Sequence, residues 1–176
     1  GINSGAVYTP DGTQIAATLS FLGNPEIFLI RPTDGSATRL TKSFGFDVDP
    51  AFSPDGQHLV FVSSRGGQPM VYRMKLDGSQ VQRLTYAGRY NATPAYSPRG
   101  DKIVFAGWIE QQFDILLMNP DGNFIVFSSN RTGGKNIYVM NRDGSFVRRL
   151  TYGLGNCVAP KWSATPPVAS APEGQP

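Results

Sequence analysis

Cysteine and histidine occur once each in the 176 residues, as Cys157 and His58. A lone thiol excludes an intramolecular disulfide, a cysteine-based zinc cage and a CxxC redox pair. It fits a reducing compartment, or an exporting one in which the thiol is buried. No apolar run approaches the roughly 20 residues that span a bilayer, so the chain reads as soluble, with no membrane insertion and any export signal removed or never present. No stretch of twelve or more residues keeps an apolar 3.6-residue period without Gly or Pro, which leaves almost no room for helix. Clusters of one charge are lacking too: the 16 Lys and Arg, against 13 Asp and Glu, are scattered singly, and nucleic acid is not indicated.

What is present is Gly (20) and Pro (14) beside 40% hydrophobic and 11% aromatic residues, the balance of a turn-rich β protein with a core. Self-similarity is strong. Thr9-Pro10-Asp11-Gly12, Ser53-Pro54-Asp55-Gly56 and Ser97-Pro98-Arg99-Gly100 follow one another at 44 residues. A second motif interleaves with them, running Asp34-Gly35-Ser36 to Arg39-Leu40-Thr41, Asp77-Gly78-Ser79 to Arg83-Leu84-Thr85, and Asp143-Gly144-Ser145 to Arg149-Leu150-Thr151. Between the motifs lie runs of five to seven apolar, β-branched and aromatic residues, such as HLVFVSS from His58 and MVYRMK from Met70. Their length and punctuation predict strands. Each period then holds strand A (Pro50 to Ser53), a Pro-Asp-Gly turn, strand B, a Gly-rich loop at Arg65 to Gln68, strand C, an Asp-Gly turn and strand D. A four-stranded antiparallel unit of this size is a β-propeller blade. The predicted fold class is all-β, a propeller with about four blades represented over 1–163. Residues 164–176, with four prolines, read as a disordered tail or linker.

One irregularity falls at 122–123. On the 44-residue clock Asp121-Gly122 is a C–D turn, yet FIVFSSNR follows at once and every later motif is early by 22 residues. Strand D of one blade and strand A of the next are missing from the series. A segment left out of the sequence explains this more simply than a deletion, which strips two ladder partners and exposes strand edges. If the deletion is real, the strand from Phe124 to Ser129 stands in for the lost D strand.

The repeats resemble the TolB-type propeller family of the Tol-Pal envelope system. The resemblance rests on the turn preceded by a Pro-x-aromatic strand (Pro50-Ala51-Phe52, Pro94-Ala95-Tyr96), the Phe-x-Ser-Ser-Arg/Asn segment and the DGS…RLT strand, over Gly1 to Ser163. It implies a periplasmic, non-enzymatic propeller. Such a module docks a peptidoglycan-associated lipoprotein or a peptide at its channel mouth, and acts in envelope integrity, cell division and macromolecule import. Related repeats in prolyl oligopeptidases and tricorn-like proteases imply an alternative, a substrate-gating module of a serine peptidase whose catalytic domain is not in this chain. Family members close six blades and carry an N-terminal α/β domain, whereas this chain starts inside a blade; an open propeller leaves oligomers possible.

Catalysis finds little to work with. His58 stands beside a turn, and GxSxG, HExxH, a Walker loop and GxGxxG after a strand are absent. No catalytic or resident metal residue is assigned. Asp47 and Asp49, expected in a loop at the channel mouth, are the one place where a hard cation such as Ca²⁺ is conceivable. Turns on the Pro-Asp-Gly and Asp-Gly-Ser face recur as structural parts do, whereas the D→A and B→C loops on the opposite face differ between repeats, which predicts a working rim there. Its partner-binding candidates are Ser4, Phe44, Phe46, Asp47, Val48, Asp49, Arg65, Arg89, Tyr90, Asn91, Ala92, Thr93, Trp108 and Arg131. Aromatic and arginine side chains are the usual interface anchors. Of these, Ser4, Val48, Asp49, Ala92 and Thr93 match by position the pre-strand-A loop that the resemblance assigns to partner contact. A sugar-binding surface ranks last, with Trp108 and Tyr90 as its only stacking candidates.

Overall fold

The computed structural model describes residues 3–109, 112–120, 122–141 and 143–152. All regular structure among them is β-strand, in line with the lack of helical periodicity. The first sheet runs β1 (Asn3–Tyr8), β2 (Ile15–Leu19), β3 (Glu26–Ile30), β4 (Ala37–Arg39), and the second β5 (Asp47–Phe52), β6 (His58–Ser63), β7 (Met70–Lys75), β8 (Gln82–Arg83), each in antiparallel sequence order. The third sheet has six strands: β9 (Asn91–Tyr96), β10 (Ile103–Ile109), β11 (Gln112–Met118), β12 (Phe124–Ser129), β13 (Asn136–Asn141) and β14 (Arg148–Arg149).

That third sheet shows how the missing half-period is bridged. Gly122 N–H donates to Asn119 O (2.8 Å), and the Asn119 carboxamide oxygen accepts from the amides of Asn123 and Phe124. The chain folds straight back, so β12 pairs antiparallel with β11, Leu116 opposite Phe127 and Met118 opposite Ile125. The strand that would open a fourth blade's B position takes the D position of the third. The four partial blades of the repeat count are therefore three sheets, the last a fusion.

The recurring turns are structural. In the second sheet the Ser53 hydroxyl donates to Asp55 Oδ1 (2.5 Å) and accepts from the His58 amide (2.9 Å), while Asp55 also accepts from Gln57 N–H. Where the third repeat has Arg99 in place of aspartate, Ser97 donates to Asp101 instead (2.8 Å). Gly56 and Gly100 take φ of +68° and +73°, a region open to glycine, and lie against Pro10 and Pro54 of the preceding turn. Consecutive turns thus stack from blade to blade. The RLT motif is a clip. The hydroxyls of Thr41, Thr85 and Thr151 accept from the amides of Ile27, Val71 and Ile137, and Arg39, Arg83 and Arg149 donate through Nε to the carbonyl of the threonine two residues on. Strand C is thereby fastened beyond the short D strand.

The core lies between sheets. Ala16 and Ile27 of the first pack on Leu59, Phe61 and Tyr72 of the second. Val60, Val71 and Leu84, from the second sheet's other side, pack on Ile103, Phe105, Leu116, Ile125 and Phe127 of the third. Since side chains alternate across a strand, each sheet has a backward and a forward face, and stacking runs forward face on backward face.

Candidate functional site

The first strands of the three sheets, β1, β5 and β9, lie side by side, β5 in contact with both others. Each carries a register shift: between Ser4 and Val7, between Val48 and Ala51, and opposite Val104 to Ala106. Each shift holds one left-handed residue, at Gly5 (φ +62°), Asp49 (+53°) and Thr93 (+46°), again 44 residues apart. A β-branched residue at positive φ is a genuine outlier, and such conformations cost about 1–3 kcal/mol each and concentrate at functional sites. Consecutive bulges touch: a Cβ on Gly5 would stand 3.2 Å from Pro50 Cδ and 3.4 Å from Asp49 Cα. Sequence reading placed 47–49 and 91–93 in loops; the strands in fact begin at Asp47 and Asn91, three residues early, because the bulge absorbs the irregular residue inside the ladder. The 44-residue spacing of Gly5, Asp49 and Thr93 was the available signal.

The D→A and B→C loops do share one end. Asp47 N–H donates to Pro25 O and Asn91 N–H to Pro69 O, equivalent bonds across successive blade boundaries. Asn24 Nδ2 donates to Phe44 O (2.9 Å) and Trp108 N–H to Tyr90 O (2.7 Å). A cleft of about 470 Å³ opens there, lined by Asn24, Pro25, Phe44, Gly45, Phe46, Val48 and Ser64. Gly45 sits so close to Ser64 that a Cβ would lie 2.2 Å from its hydroxyl. Phe44 is fully exposed, and Ser4, Arg89, Tyr90 and Thr93 are exposed as well. Phe46, Val48, Asp49 and Ala92 are half-buried. Tyr90 and Trp108 meet Phe113 edge-on, at centroid distances of 5.9 and 4.9 Å. Trp108 lies in β10, not in a loop. Phe113, which sequence reading passed over, is the residue that joins this aromatic group.

Four candidates are corrected by burial or by partners. Asp47 is fully buried and its Oδ2 accepts from Arg65 (2.9 Å), so it is not a rim contact. Among the described residues no three acidic, histidine or cysteine side chains gather as a metal cluster. Asn91, the repeat equivalent of Asp47, is buried too and donates to Met70 Sδ and Ala87 O. Arg65 lies over the rings of Phe61 and Tyr72 (5.4 and 5.3 Å) with Nε donating to Ser63, and Arg131 repeats this over Phe127 and Tyr138 (5.0 and 4.8 Å) with Ser129. The shared Phe-x-Ser-x-Arg segment is a cation–π cap on an aromatic pair. Cys157 and the tail at 164–176 lie outside the described residues.

Sequence reading also missed Glu26. It is fully buried and accepts from Arg39 (3.0 Å), the Thr41 hydroxyl (2.6 Å) and the Ser43 amide (2.8 Å). Burial pushes the Asp47 carboxyl up, the Ser63 hydrogen bond and Arg65 pull it back, and the charge of Glu26 pushes it further up. The turn aspartates move the other way: hydrogen bonds from the Ser36 hydroxyl and amide, helped by Arg31, hold Asp34 at about 2, and Asp11, Asp55, Asp77 and Asp101 are lowered chiefly by a Ser or Thr hydroxyl. A raised folded pKa gives stability that is lost as pH rises through it, and lowered ones give stability lost as pH falls. Melting temperature is therefore expected to show two limbs: an upper one, set by Asp47, in which it rises as pH falls towards the ordinary carboxylate range, and a lower one, below about 4, in which it drops as the turns protonate. Asp47→Asn should flatten the upper limb only; an unchanged upper limb in thermal scans would refute the assignment to Asp47.

Comparison with known proteins agrees with this geometry. Structurally, the chain is similar to TolB from Acinetobacter baumannii (26% identity, TM-score 0.62, covering 89% of this chain and 45% of that one). A structure assigned to TolB from Agrobacterium tumefaciens is similar at 27% identity and TM-score 0.62, covering 82% of this chain and 57% of that one. A puromycin-hydrolysing peptidase from Mycobacterium tuberculosis shares the fold alone, at 17% identity and TM-score 0.52, covering 85% and 29%. The chain spans about half the length of the TolB structures it matches. The family model for the TolB beta propeller domain matches residues 1–120, more than half of the 176, and with the repeats, bulges and stacked sheets this makes the chain a member of the TolB β-propeller domain family.

Proposed function

We propose that the chain is a non-enzymatic, protein-binding propeller module that docks a periplasmic partner, a peptidoglycan-associated lipoprotein or a peptide, on the end carrying the D→A loops. Its part is in envelope integrity, division and import. The observation that carries the reading is the coincidence, on that end, of strained Asp49 and Thr93 with the exposed, non-repeating Phe44, Arg89 and Tyr90. The opposite turns are locked into one another. Affinity would come from aromatic anchors filling apolar hollows on the partner, with Arg89 as a charged donor at the edge; no bond is made or broken.

The test is binding of the purified chain to the soluble domain of a peptidoglycan-associated lipoprotein by titration calorimetry. Phe44→Ala with Tyr90→Ala should weaken binding at least about tenfold, and Arg89→Glu should slow association. Phe146→Ala, at an exposed Asp-Gly-Ser turn, should change nothing. Equal affinity for all four proteins, or none for the unaltered chain, refutes the reading.

A further inference from the structure

The rim loop at 43–47, between the first and second sheets, is held by two buried carboxylates, one at each end. Glu26 Oε1 accepts from the Ser43 amide (2.8 Å) and Asp47 Oδ2 from Arg65 (2.9 Å), so charge ties down the segment that carries Phe44 and Phe46. The equivalent loop 44 residues on is held without it. There Asn91 stands in the place of Asp47 and Met70 in that of Glu26, and the Asn91 carboxamide donates to Met70 Sδ and Ala87 O. The backbone bonds are nevertheless the same, Asp47 N–H to Pro25 O (2.8 Å) and Asn91 N–H to Pro69 O (2.9 Å). Two loops of one geometry thus differ in whether a proton can act on them.

The ionised form of Asp47 is poorly provided for. Its side chain is fully buried and Oδ1 has no hydrogen-bond partner, and an anionic oxygen held away from water without a donor is costly. The charged groups that face it are Arg65, from the loop after β6, and Glu26, at the start of β3, which Arg39 answers in turn. Besides Asp49 on β5 itself, the strands in contact with β5 bring only Tyr8, His58 and Tyr96, each at the far, Pro-Asp-Gly end. Opening the loop to water would hydrate the carboxylate and return Asp47 to the ordinary range. By linkage, a proton on Asp47 then favours the closed loop and its loss favours the open one.

We propose that the loop at 43–47 is a proton-operated latch: with Asp47 neutral it stays closed on Pro25 and Ser64, and as Asp47 ionises it opens and takes Phe44 and Phe46 out of place, whereas the Tyr90 loop does not respond. Resting on the docking role proposed above, this makes partner binding at that end stronger on mild acidification, because a closed loop presents its aromatics pre-organised.

Amide hydrogen exchange of the full chain, without any partner, reads the latch. From about pH 7.5 to about 5.5, with rates corrected for their intrinsic pH dependence, protection of the Phe46 and Asp47 amides should rise about threefold or more relative to that of Asn91. Asp47→Asn, the side chain the next repeat already holds, should abolish that relative change. Carbon-13 NMR of the Asp47 carboxyl in the unaltered chain should titrate with the same midpoint as the protection ratio. A constant ratio in the unaltered chain, a changing ratio that survives in Asp47→Asn, or two different midpoints overturns the proposal. Affinity for the soluble lipoprotein domain should gain more over this range in the unaltered chain than in Asp47→Asn, and an equal gain in both overturns the link to docking. No binding at any pH refutes the docking role alone, and the exchange result then decides the latch.

Discussion

Glu26→Ala is expected to lower unfolding free energy by about 3 kcal/mol, the lower end of the range for breaking a buried pair. The carboxylate answers three donors at once, from Arg39, Thr41 and Ser43. Truncation orphans a buried hydroxyl and an amide, costs that exceed the worth of the bonds themselves. Arg39 is still 28% exposed and can rehydrate, which keeps the loss from the upper end. The sister repeat supplies the control. Met70 occupies the same position, fully packed, with Thr85 Oγ1 directed at its sulfur (3.6 Å). Glu26→Met should therefore recover part of the loss, the second sheet holding a methionine there while its arginine, Arg83, lies over Tyr86 instead (4.7 Å). Urea denaturation of the three proteins checks both statements; equal destabilisation by Ala and Met would show that the charge itself is required.

Phe127→Ala should be as damaging as Phe105→Ala, about 3–5 kcal/mol for each. Both rings are buried in the core shared by the second and third sheets. Against a typical total of about 5–15 kcal/mol, either variant should be largely unfolded at moderate urea. Phe127 is the informative one. It lies on β12, the strand in the borrowed D position, opposite Leu116 of β11. If β12 packs as a true member of the third sheet, its phenylalanine carries full core weight. A cost below about 0.5 kcal/mol, the range of surface changes, would mean that β12 does not complete that core.

Much of the fold was legible because turn chemistry is local. Pro-Asp-Gly and Asp-Gly-Ser impose their geometry within four or five residues, and the hydrogen bonds from Ser53 to Asp55 and His58 are of that kind. Strand positions followed from period and punctuation, apart from the three-residue error at β5 and β9 and the placing of Ser4 and Trp108 in loops where β1 and β10 hold them. That error arose because a bulge is a tertiary device: Asp49 and Thr93 are held at positive φ by packing between inner strands, a constraint that neither Asp-Pro nor Thr-Pro announces. Of the residues expected at the rim, some are exposed, such as Phe44 and Tyr90, and others buried, such as Asp47 and Asn91. Asp47 and Arg65 looked like free charges because each answers the other across 18 positions of sequence. Arg131 looked free because the rings it covers become neighbours only when β12 and β13 pair.

The amino-acid sequence alone determined the 44-residue unit, its four strands and the structural standing of its turns, since each depends on contacts a few residues apart. Only the tertiary structure decided that β12 closes onto β11, that Glu26 and Asp47 are interior charges, and which aromatics stay exposed. Burial is a property of the neighbouring sheet, and the identity of that neighbour is written nowhere in the local pattern.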